Sequence, residues 1–193
     1  MINLEGLSVS IIKKMFNGQA IEQERKQKMA YGLSVLLGLF IEFSVCVIIS
    51  LFLQTTKFLI PIMLSALFLR MFTGGKHCTS YNRCLLFTSA YFLPLSWLVK
   101  YIYHLNGVIL LHYSTHLFFI IAALLAKRNM RDKHFWFMVG KIIHLLIGNL
   151  FCQIQPWLLL SISFGLTSQA LILSVPGSRI ISCFDYFFKK IGI

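Results

Sequence analysis

The chain has 193 residues, 58% of them hydrophobic and 12% charged, with a mean hydropathy of +0.77. Soluble globular domains carry about 25% charged residues, so this composition excludes one and indicates a polytopic membrane protein. The net charge of +12 does not point to nucleic acid, because the basic residues lie mostly in short segments flanking apolar runs, where an anionic membrane leaflet is the expected partner.

Residues 1–29 set Leu4, Leu7, Ile11, Ile12 and Met15 on one helical face beside Lys13 and Lys14, then continue through the charged stretch from Glu22 to Lys28. That pattern predicts an amphipathic helix lying on the membrane surface. No central apolar stretch followed by small cleavage-site residues marks a removable signal peptide, so the first span is expected to do the targeting. A span needs about 20 apolar residues, and six candidates follow: 30–53, 57–73, 84–103, 105–126, 135–153 and 156–175. The fifth carries Lys141 and His144. Basic residues cluster before the first span (Lys13, Lys14, Arg25, Lys26, Lys28), after the second (Arg70, Lys76, Arg83), after the fourth (Lys127, Arg128, Arg131, Lys133) and after the sixth (Arg179, Lys189, Lys190). The opposite side has only Lys57 and Lys100. Such a bias puts both termini, and the polar island from Gly74 to Cys84, in the cytoplasm. Trp97, Tyr101, Tyr103 and Trp157 then fall near the outer interface, and Phe135 and Trp136 near the inner one. After Pro176 and Gly177, Ile180, Ile181, Phe184, Phe187 and Phe188 oppose Arg179, Lys189 and Lys190, predicting a second short amphipathic helix. The expected fold is therefore an all-α polytopic bundle of about six transmembrane helices. It forms a single domain over 1–193, with the bundle at 30–175 between an amphipathic helix at 1–29 and an amphipathic tail at 176–193.

The island Gly74-Gly75-Lys76-His77-Cys78-Thr79-Ser80-Tyr81-Asn82-Arg83-Cys84 is where chemistry is expected, since irregular polar backbone between spans survives only where protein or water satisfies it. His77 and Cys84 are a candidate base and nucleophile. The thiolate is the reactive form, and a free cysteine of pKa about 8.5 needs a base or a positive field to supply it at neutral pH. Arg70, Lys76 and Arg83 add positive potential, and a Cys84 that opens the third span sits near the positive end of a helix dipole. On an uninterrupted helix residues 77 and 84 would lie about 10 Å apart along the axis, so the segment must bend. Gly74 and Gly75 supply backbone freedom before the histidine, and Thr79, Ser80 and Asn82 favour turns after it. Backbone N–H groups around Gly75 or at the start of the third span are candidate oxyanion donors. The plainer reading of the island is a short loop with a chance His and Cys.

Arg70, followed by Gly74-Gly75-x-His77 and, seven residues on, Cys84 at the head of an apolar span, resembles the accessory gene regulator B family, bacterial membrane endopeptidases that process quorum-sensing pro-peptides. The resemblance implies that Cys84 is the nucleophile and His77 its general base, with Arg70 and Gly75 at supporting motif positions. It further implies cleavage of a small precursor before its C-terminal tail, retention of the N-terminal part as a thioester, and closure of a thiolactone or lactone ring by an internal Cys or Ser. No cofactor is implied. The expected partners are an autoinducing-type precursor peptide and a second copy of the chain, as a homodimer, in the bacterial cell membrane. Cys78 stands where the family pattern leads us to expect a small residue such as alanine.

Glu42 lies mid-span, and an intramembrane carboxylate is a functional candidate by default. It is a possible third member of the site, but its apparent depth, far from a cytoplasmic His77, favours pairing with Lys141 or a histidine within the bundle. His112 and His116, four apart, with His104 two turns earlier, have metal-compatible spacing but no acidic neighbour and no HExxH, so packing accounts for them and no metal site is expected. The five cysteines form no CxxC pair, and Cys46, Cys152 and Cys183 read as small buried residues. Gln169 reads as interhelical glue. Two other classes fit the chain: a small transporter or exporter using Glu42 and Lys141, and a non-catalytic membrane partner or sensor.

Overall fold

A computed structural model describes residues 4–17, 22–74, 78–105 and 156–192, together with positions 117, 120, 121 and 124. The described residues form six helices: α1 Leu4–Met15, α2 Gln23–Phe52, α3 Thr56–Thr73, α4 Tyr81–Leu105, α5 Pro156–Leu173 and α6 Val175–Lys190. Four of them, α2 to α5, are long and apolar enough to cross a membrane. The expected spans 105–126 and 135–153 fall outside the described residues, apart from Leu105 and those four positions, as do Lys127 to Lys133, Lys141, His112, His116 and Cys152.

The surface helix is shorter than expected. Instead of running through residue 29, α1 stops at Met15, and Gln23 to Lys28 form the first turns of α2. Asn17-Gly18 is a helix-ending pair, whereas Gln, Glu, Arg and Lys are good helix formers that extend the span into the aqueous region. At 30 residues α2 is about 45 Å long, well beyond a hydrocarbon core of about 30 Å. Its exposed first turn is laced by a Glu24–Lys28 ion pair of 2.5 Å at i, i+4 spacing. The face of α1 that packs on α2 is Leu4, Ser8 and Ile12, a stripe spaced by four. Leu7 and Met15, expected on the same face, are exposed.

Membrane helices gain little from hiding apolar surface from lipid, so close approach of small residues decides how they pair. The α3–α5 pair shows this most clearly. α5 buries Ser161, Ser163, Gly165, Thr167, Ser168 and Ala170, and a Cβ on Gly165 would collide with Ser65 Oγ and the carbonyl of Ile62 on α3. Phe58 and Ile62 of α3, Val99 of α4, and Leu160 and Phe164 of α5 form one core cluster; Cys46, Leu59 and Met63 join α2 to α3 in another. One end of the bundle is tied by polar pairs: Ser50 and Thr56 hydroxyls at 2.9 Å, Thr55 and Ser96 at 3.0 Å, and Lys100 Nζ donating to Gln54 O at 3.2 Å. Lys57 lies over the Trp157 ring and Trp97 stacks on Tyr101 at that same end.

The tail helix also differs from expectation. Pro176 and Gly177 lie inside the first turn of α6, which Ser174 caps by accepting the Gly177 N–H; proline is tolerated there because the N–H it lacks has no intrahelical partner. Of the apolar face expected on this helix, Ile181 is buried and Phe184 stacks edge-on against Phe87 of α4, while Ile180 and Phe187 remain exposed. The helix is docked on the bundle at the end opposite Lys100, where α4 begins.

Gly165→Val is expected to destabilise the protein in detergent by about 2 kcal/mol or more, through overpacking of α3 against α5. Gly32→Ala, where an added Cβ meets nothing within 4 Å, is expected to be neutral or stabilising by up to about 1 kcal/mol. Thermal unfolding of the two variants beside the unaltered protein checks both.

Candidate active site

Cys84 sits in the first turn of α4 rather than at its first residue. Ser80 sets that start: its hydroxyl accepts from the Arg83 N–H at 3.4 Å and its carbonyl accepts from the Cys84 N–H at 3.1 Å. Both N–H groups are thereby engaged, so neither is the free oxyanion donor expected at the start of this span. Tyr81, the first residue of α4, donates its hydroxyl to Gly38 O of α2 at 3.0 Å, and this contact sets the level at which the two helices meet. One helical turn deeper on each, Glu42 faces Cys84.

The Cys84 thiol and the Glu42 carboxyl line the same two cavities, and Thr88 Oγ1, four residues further along α4, donates to Glu42 Oε2 at 3.4 Å. Lys141 and His77, the alternative partners expected for Glu42, lie outside the described residues; among the described ones Glu42 has Thr88, Cys84 and Arg70 about it. Thr88 was not singled out in the sequence, although its i+4 spacing from Cys84 puts both on one helical face.

Arg70, in the last turn of α3, is close enough for its charge to act on both Glu42 and Cys84. Arg83 is differently placed from its expected role. Its guanidinium turns away toward α6, with Nε 3.3 Å from Asp185 Oδ1, so its charge is compensated there rather than lent to the thiol. Gly74 ends α3 with φ +69° and ψ −152°, a region nearly confined to glycine, and its N–H donates to Arg70 O at 2.8 Å. Its carbonyl accepts from Gln169 Nε2 of α5 at 3.4 Å. Gly75, Lys76 and His77 lie outside the described residues.

Two cavities meet at this point. One, of about 360 Å3, lies among α2, α3 and α4 and is lined by apolar side chains including Leu36, Phe40, Phe43, Met63 and Leu64. The other, of about 290 Å3, lies beneath α1 and is more polar, with Glu5, Ser34, Thr79 and Ser80 in its wall. Glu42, Arg70, Cys78 and Cys84 line both. Cys84 therefore stands on a wall shared by a strongly apolar compartment and a somewhat more polar one.

A family model described as accessory gene regulator B matches residues 8–175, from within α1 to the first residue of α6. The chain belongs to that family. Accessory gene regulator B proteins are associated with the processing of quorum-sensing peptides, and the apolar helices of this member agree with a membrane location. No curated protein and no solved structure matches the chain. Among the described residues no group of three or more His, Cys, Asp or Glu is arranged to hold a metal ion.

Cys78 is the one site thiol outside the helical spans. Burial, and after it the negative charge of Asp185, push it up from the ordinary thiol value. A raised pKa means less thiolate at any given pH. Its alkylation rate is expected to stay below that of a small-molecule thiol at pH 8 and to go on rising at pH values where the small thiol has levelled off. Mass-spectrometric alkylation kinetics against pH check this.

Proposed function

We propose that this member of the family is a membrane cysteine endopeptidase that cleaves a small precursor peptide before its C-terminal tail and cyclises the retained part. The observation that carries the reading is the Cys84 thiol, with Glu42 and Arg70 around it, on the wall shared by two cavities of unlike polarity. His77 is the proposed general base. It takes the thiol proton as Cys84 Sγ attacks the scissile carbonyl, then returns that proton to the departing amine of the tail as the C–N bond breaks. The N-terminal part is left as a thioester on Cys84. An internal Cys or Ser of the peptide attacks that thioester, gives its proton to His77, and releases Cys84 with closure of a thiolactone or lactone. Transfer between two thioesters is nearly isoenergetic, so the step proceeds if water is kept from the acyl-enzyme, a task suited to the apolar cavity. Glu42 is the proposed third member, holding the thiol hydrogen and orienting it; Arg70, Gly74 and Gly75 support the site.

The reading sets this end of the bundle at the cytoplasmic face of a bacterial cell membrane, with α1 and α6 beside it. Arg25, Lys28, Lys189 and Lys190 are exposed, and anionic lipid is their proposed partner. A homodimer belongs to the same proposal.

With the cognate precursor co-expressed, Cys84→Ala is expected to abolish the cyclic product and His77→Ala to lower it by at least about 100-fold. Glu42→Gln, which keeps an acceptor for the thiol and Thr88, is expected to lower it about tenfold with the fold intact. A transporter would give the reverse order, with Cys84 dispensable and Glu42 required.

A further inference from the structure

The helix that begins one turn before Cys84 is held from the other end of the chain. Asp185 of α6 accepts the Thr79 N–H on Oδ1 and the Thr79 hydroxyl on Oδ2, each at 3.0 Å. Arg83 Nε lies 3.3 Å from Asp185 Oδ1, and its Nη1 is 3.5 Å from the Asp185 backbone carbonyl. The same guanidinium donates through Nε to Ser80 Oγ at 2.9 Å and through Nη2 to Thr79 Oγ1 at 2.7 Å. The side chains of Arg83 and Asp185 are only 8% and 14% exposed, so solvent screens this pair little. Thr79, Ser80 and Arg83 are the residues that lead into the first turn of α4, and Ser80 accepts the N–H of Cys84.

We propose that Asp185 is a positioning residue for Cys84: through Thr79 and Arg83 it fixes the entry to α4, and with it the direction in which the thiol faces the two cavities. Asp185 touches neither cavity and is no nucleophile or base. Ser80 and the Tyr81 hydroxyl on Gly38 O hold the first turn itself but leave Thr79 before it unfixed, and terminal turns are the least stable part of a helix. A carboxylate that binds both the N–H and the hydroxyl of Thr79 leaves that residue one arrangement. Asp185 lies beyond the residues 8–175 that the family model matches, so this tie belongs to a part of the chain that the family resemblance does not speak for. The inference rests on the proposed role of Cys84 and His77.

The test is the rate of iodoacetamide alkylation of Cys84 at pH 7 in detergent, read by mass spectrometry in the unaltered protein, Asp185→Asn and His77→Ala, with buried Cys46 as the monitor of folding. Asp185→Asn is expected to slow Cys84 at least fivefold while Cys46 stays protected. An unchanged or faster rate at Cys84 overturns the proposal, because a tie that merely docks α6 or shields the thiol would leave it unchanged or expose it. If Asp185→Asn uncovers Cys46, Thr79→Val decides: it removes the hydroxyl contact but keeps the Arg83–Asp185 pair, and the same slowing is expected, with an unchanged rate again contradicting the proposal. His77→Ala separates this from the peptidase reading. Slowing by His77→Ala alone would sink only the role of Asp185, whereas no slowing by His77→Ala would sink the assignment of the base whatever Asp185 does.

Discussion

A carboxyl carried into an apolar helical bundle costs several kcal/mol unless partners meet it there. Glu42 accepts a hydrogen bond from the Thr88 hydroxyl, with the Cys84 thiol and the charge of Arg70 beside it. Two of these stand on one face of α4, a turn apart, so they can reach Glu42 together only at one register of α2 against α4. The Tyr81 hydroxyl on Gly38 O sets that register from just outside. The space there is narrow, since a Cβ on Gly38 would lie 3.0 Å from the Tyr81 ring. A slip of one turn, about 5.4 Å, would separate Glu42 from both partners on α4. The same register brings the nucleophile to the wall between the two cavities, so packing and chemistry depend on one alignment.

Among the described residues, groups of polar ties lie toward the two ends of the bundle, with Cys46 and Ser89 at 3.6 Å between α2 and α4. Hydroxyl pairs, Lys100 and Lys57 bind one end; Gly74 with Gln169, Ser80 with the start of α4, and Asp185 with Arg83 and Thr79 bind the other. Between them α3 and α5 approach through serine, alanine and glycine, and the apolar cavity opens beside α3.

The membrane class, the helical content and the approximate limits of the spans at α2 to α5 were legible in the sequence, because runs of about 20 apolar residues have few alternatives to a spanning helix. Ends were less legible. The charged residues 23–28 read as surface helix, yet they simply continue α2, since nothing in local sequence says whether a good helix former is inside or outside the hydrocarbon. Of the island from Gly74 to Cys84, the helix end at Gly74 was legible from residue type, and Gly74 does end α3 in a glycine conformation. The neighbours of Cys84 were not, because Arg83 and Asp185 are 102 residues apart and charge counting cannot tell a cation that faces the thiol from one already paired. Asp185 is one of only six acidic residues in a chain of net charge +12, and its scarcity was the available signal.

The central claim is that Cys84 carries the peptide as a thioester, and the most direct measurement is to trap it. The purified protein would be given a precursor whose ring-closing Cys or Ser is replaced by Ala, so that the acyl-enzyme has no internal acceptor, and then be digested and weighed. The account predicts an adduct on the Cys84 peptide with the mass of the precursor lacking its C-terminal tail, removed by neutral hydroxylamine as a thioester should be. Precursor cleavage with no such adduct, or an adduct on Cys78 instead, would contradict it.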